Sequence, residues 1–74
     1  MKYVVVELQD NSSSVANIVT AYDSVNQAEQ KYHQVLSAAA VSQVPFHSAV
    51  MLNSEGQYIK SEAYDHRQPD SQED

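Results

Sequence analysis

Residues 46–64, FHSAVMLNSEGQYIKSEAY, decide how this sequence folds. Two apolar and aromatic runs flank Asn53-Ser54-Glu55-Gly56. Asparagine is favoured at the first position of a type I turn, and glycine at the fourth takes the positive φ of a bulged hairpin loop. Gly56 is the single glycine of the chain, so its position between the runs is informative. The stretch reads as a strand over 46–52, a turn, and a returning strand over 57–64. With Gly56 closing a bulged turn, Phe46, Ser48, Val50 and Leu52 share a face with Tyr58, Lys60, Glu62 and Tyr64. His47, Ala49 and Met51 then share the other with Ile59, Ser61 and Ala63.

Working back from the hairpin, Pro45 disfavours helix in the residue before it. Ahead of it the apolar period becomes helical: Val25, Ala28, Tyr32, Val35, Leu36, Ala39 and Ala40 form one stripe. Asp23-Ser24 supplies N-caps, and Ser24 with Gln27 has the form of a capping box. A helix is predicted over 24–40. The run Ala38-Ala39-Ala40 permits close backbone approach, suiting packing against the sheet or against the same helix of a second copy. Further back, VANIVTAY (15–22) and KYVVVELQ (2–9) read as strands, separated by the polar cluster DNSSS. In the first strand Val4, Val6 and Leu8 fall on one face, and Tyr3 and Val5 join Glu7 on the other. Both faces are substantially apolar, which places this strand centrally in a sheet.

The order is ββαββ, an α+β domain over residues 1–64 with one helix on a four-stranded, mainly antiparallel sheet. Residues 65–74, DHRQPDSQED, lack apolar content and read as an acidic disordered tail. One helix covers one face of such a sheet, and the other face of a monomer would be polar. Here neither face is, so the second face is expected to contact another copy of the chain, giving a homo-oligomer.

A chain of 74 residues forms one domain and buries only about 60% of its unfolded surface. It has no cysteine, which removes disulfides and thiolate metal sites and makes association with a second copy a reasonable expectation. The net charge is −6, of which the tail carries half: Asp65, Asp70, Glu73 and Asp74 against Arg67. An acidic chain has no electrostatic footprint for nucleic acid. No apolar run approaches the roughly 20 residues of a membrane span, and the N-terminus has no signal-peptide form. A soluble, cytoplasmic protein is expected.

Catalytic signatures are lacking. The serines lie in no G-x-S-x-G or S-x-x-K arrangement, one glycine builds no phosphate loop, and Glu7 and Glu62 are the only acids within predicted strands. His33, His47 and His66 have no metal-ligand spacing. No enzyme, metal or cofactor is expected. The returning strand is more suggestive: Tyr58, Lys60, Glu62 and Tyr64 alternate on one face and His66 continues the spacing. Such a row can stack a planar ring and hydrogen-bond a polar ligand, or can be a solvated edge whose charges discourage pairing. The ligand-binding candidates are His33, His47, Tyr58, Lys60 and Tyr64.

Residues 31–66, with Tyr32-His33, the alanine run, Val41-Ser42, Pro45-x-His47 and Lys60-Ser61-Glu62-x-Tyr64-x-His66, resemble a group of very short proteins of phages and prophages of Gram-positive gut bacteria. The specific part covers about half the chain. The resemblance implies phage origin and transfers no functional residue. With the expected oligomer, it points to a non-enzymatic binder that counters host defence by sequestering a small nucleotide-like immune signal between protomers. The acidic balance counts against that ligand, because phosphate needs local positive charge. The alternatives are an acidic inhibitor that binds a host protein directly and a structural or assembly adaptor of the virion.

Overall fold

Alternation of β-branched and polar residues gives way to a 3.6-residue period and back again, and the backbone follows. The computed structural model describes residues 2–67. It consists of β1 (Tyr3–Asp10), β2 (Val15–Tyr22), α1 (Val25–Val41), β3 (Phe46–Asn53) and β4 (Tyr58–Asp65). The strands form one antiparallel sheet in the order β2-β1-β3-β4, with α1 packed on one face. This is the α+β, ββαββ architecture expected, with β1 central. β4 runs one residue beyond the expected domain end, and His66 and Arg67 follow it in place. The expectation of disorder for 68–74 lies outside the described residues.

Local chemistry sets each boundary. Asp10 Oδ1 accepts from the Ser12 N–H, and Ser12 takes a positive φ of 79° in the β1–β2 loop. Ser24 is the helix N-cap, its hydroxyl accepting from the Asn26 N–H at 3.2 Å. Ser42 caps the other end, donating its N–H to the Ala39 carbonyl. Asn53 organises the β3–β4 turn, its side-chain oxygen accepting from the N–H groups of Glu55 and Gln57. Gly56 sits at φ 83°, as the turn chemistry requires.

The core lies between the helix and the two central strands. Val5, Ala49 and Met51 meet Ala28, Tyr32, Val35, Leu36 and Ala39, with Tyr3, Tyr22 and Tyr64 packed around them. Each large side chain here contributes on the order of 1.5–3 kcal/mol by leaving water. The predicted stripe is buried except at its two ends, where Val25 and Ala40 are exposed. Of the alanine run only Ala39 packs; Ala38 and Ala40 face solvent.

One expectation is corrected. The turn does pair Leu52 with Tyr58, but Met51 then pairs with Lys60, so Ile59 is left as a bulge. A single extra residue reverses every later side chain. Lys60, Glu62 and Tyr64 therefore share the helix-side face with Met51, Ala49 and His47. Ser61, Ala63 and Asp65 join Val50, Ser48 and Phe46 on the other. Interactions under the helix account for this register: Lys60 reaches Glu29 and lies over the Tyr32 ring, and Tyr64 joins the core.

Candidate functional site

The two sheet faces differ in kind. On the helix side, residue pairs lie in rows across the strands: Thr20–Val5–Met51–Lys60, Ile18–Glu7–Ala49–Glu62 and Ala16–Gln9–His47–Tyr64. The last two rows meet the C-terminal end of α1 in a polar network. His47 is 4% exposed. Its Nε2 lies 2.7 Å from Glu7 Oε2 and its Nδ1 lies 2.9 Å from Ser42 Oγ. Gln9 donates to the same Glu7 oxygen at 3.0 Å. Burial alone would raise the Glu7 carboxyl; hydrogen bonds from His47 and Gln9 more than offset it, so the group stays below the ordinary carboxylate range.

This network accommodates a proton in two ways. With His47 neutral, Nε2–H donates to Glu7 and Nδ1 accepts the Ser42 hydroxyl. With the ring protonated, Nδ1–H donates to Ser42 Oγ, and the hydroxyl can turn to the Ala39 carbonyl 3.3 Å away. His66 Nε2 donates to that carbonyl as well, at 2.7 Å, and its ring stacks on Tyr64. Histidines suit this end of a helix, where the macrodipole is negative.

The five predicted ligand residues do not converge. His47 is buried, with both ring nitrogens engaged by protein. Tyr64 pairs with it across the strands. His33 is exposed on the helix, 3.4 Å from Glu29. Lys60 is bound to the same Glu29 at 2.6 Å, which holds that carboxyl below its usual range. Tyr58 is on the opposite face, its hydroxyl 3.2 Å from Ser61 Oγ. The predicted Tyr58-Lys60-Glu62-Tyr64 row is split by the Ile59 bulge. Lys2 is engaged by Asp23, and Arg67 by Asp65, which its hydrogen bonds hold at about 2; Lys31 makes no ion pair among the described residues, and its charge acts on Glu7. Glu7 and Ser42 were not foreseen as partners of His47. No short spacing joins them, since 35 positions separate Glu7 from Ser42 in the chain. Among the described residues there is no enclosed pocket and no cluster of metal-ligating groups.

The open face is of another kind. Its rows are Ala21–Val4–Leu52–Tyr58, Val19–Val6–Val50–Ser61, Asn17–Leu8–Ser48–Ala63 and Val15–Asp10–Phe46–Asp65. The charged residues of these rows are the two acids of the last one, at one end, where Arg67 pairs with Asp65 and lies over the Phe46 ring. No described element covers it. No described helix is long and apolar enough to cross a membrane. Comparison with family models, curated proteins and solved structures finds no match to this chain.

Proposed function

We propose that this chain is a non-enzymatic, self-associating binding protein whose open sheet face is its contact surface. The observation that carries this reading is the composition of that face: three of its four rows are uncharged and centred on Val4, Val6, Leu8, Val50 and Leu52. Four strands spaced ~4.8 Å apart and eight residues long at ~3.4 Å each give a face of roughly 500 Å². Two such faces stacked bury about 1,000 Å², the lower bound of a specific interface. Face-to-face packing at ~10 Å is the ordinary way for sheets to cover apolar surface. Catalysis has less support, because the Glu7–His47–Ser42 chain is turned inward and the exposed His33–Glu29 pair lies in no enclosed pocket among the described residues.

The setting rests on the resemblance to short phage proteins: a binder in the cytoplasm of an infected bacterium, acting against host defence. Direct contact with a protein is better supported than sequestration of a nucleotide-like signal. Lys2, Lys60 and Arg67 already hold carboxylates, and Tyr58 and Lys60 lie on different faces. Native mass spectrometry of protein purified from bacterial cytosol tests this. The expected species is a multiple of the 8.2-kDa chain without a bound small mass. A bare monomer overturns the reading, and a stoichiometric nucleotide-sized addition would restore sequestration in its place.

A further inference from the structure

Strand β2 is the outer strand beside β1, and its far edge has no neighbour among the described residues. Its eight residues, VANIVTAY, include no charge, proline or glycine. Natural sheets blunt such edges with charges, proline or bulges, because a bare row of N–H and C=O groups pairs with any extended chain that reaches it. The opposite edge of this sheet is blunted in that way: β4 carries Lys60, Glu62, Asp65 and the Ile59 bulge. The side chains of β2 are also unsheltered. Val15 is 59% exposed, Ile18 50% and Val19 61%. Ile18 lies on the helix side and Val19 on the open side, so the strand offers apolar surface on both.

We propose that β2 pairs with β2 of a second copy, antiparallel about a two-fold axis, joining two sheets into one of eight strands. The choice of occupant follows from the two edges. Pairing β2 with the β4 edge of another copy would set it against charges and a bulge, and would propagate as an open filament. Pairing β2 with itself closes and matches strands of equal length. It opposes no like charges within the strand, and Asp23 just beyond it is held by Lys2. For both helices to lie on one side of the joined sheet, residues must pair with others of the same parity. The axis then passes midway between one residue and its own copy, and Ile18 and Val19 are the two nearest the middle of the strand. This contact lies in the plane of the sheet and goes beyond the stacked contact proposed above; together they give four chains.

The chain has no cysteine, so single-cysteine variants report the contact directly. A residue on the axis sits about 4.5–5.5 Å from its own copy, within the ~4.4–6.8 Å reach of a disulfide. Of Ile18→Cys and Val19→Cys, at least one is expected to form a covalent dimer on oxidation at least about tenfold faster than Gln27→Cys on the exposed helix surface. That cross-link should persist when Val50→Asp is added to break the stacked face. Ile18→Lys, at an exposed position on the helix side and so off the stacked face, should halve the native mass with an unchanged circular dichroism spectrum. Cross-linking of both strand variants at the control rate, with a native mass unaffected by Ile18→Lys, would overturn the proposal.

Discussion

The covered and open faces of this sheet come from the same four strands in the same alternation, yet they hold different chemistry. The covered face mixes a small apolar centre, Val5 and Met51, with a hydrogen-bonded Glu7–His47–Ser42 chain. The open face is aliphatic through its middle and has its acids at one end. A face that packs permanently within the chain can bury polar groups because each finds a fixed partner. On the proposed reading the open face finds its cover in another molecule, where side chains that need no fixed partner do better. Polarity is therefore a poor guide here to which face is inside.

Perturbing the covered face should cost the most. Met51 is fully buried beneath the helix, and Met51→Ala is expected to lower stability by about 2–5 kcal/mol in chemical denaturation. The equivalent truncation Leu52→Ala, on the half-buried open face, should cost less in the dissociated chain. Equal losses would mean the faces are not distinct.

Removing a partner within the polar chain should have an intermediate effect. His47→Ala leaves the Glu7 carboxylate part-buried with only Gln9 as donor, at a cost of about 1–3 kcal/mol at pH 7. The sign of its pH dependence follows from Glu7, whose value in the fold lies below its ordinary 4.5. Such a group contributes stability that is complete above pH 4.5 and is lost as pH falls through the lowered folded value. The variant has little of that contribution to lose, so the native–variant gap should narrow between pH 7 and pH ~3 at fixed protein concentration. A gap that widens on acidification would contradict the assignment.

The smallest effect belongs to a loop serving neither face. Ser12 holds a positive φ that glycine takes without cost, so Ser12→Gly should be neutral or raise stability by up to about 1 kcal/mol. A clear loss would mean that the Ser12 side chain, and not its backbone alone, supports the turn.

Most of the architecture was legible because it depends on local signals. The Val25–Val41 helix follows from Ser24 and the apolar stripe, and the β3–β4 turn follows from Asn53 and Gly56. The Ile59 bulge was not legible, because nothing in QYIKSEAY marks it. It is explained by contacts that β4 makes with Glu29 and Tyr32, about thirty residues away in sequence. The same non-locality hid the site: His47 reads as a strand histidine until the fold brings Glu7 and Ser42 to its two ring nitrogens. The apolar character of the second face was legible, since alternation exposes it whichever face the helix takes.

Sedimentation equilibrium of the native chain and of Val50→Asp, over a dilution series from high to low micromolar, tests the open-face claim most directly. Val50 lies between Val6 and Ser61 in the middle of that face, away from the helix. The account predicts an oligomer for the native chain and at least a halved mass for Val50→Asp, with the helix and sheet signals of the circular dichroism spectrum retained. A native chain that is monomeric at every concentration, or an oligomer whose mass Val50→Asp leaves unchanged, would contradict it.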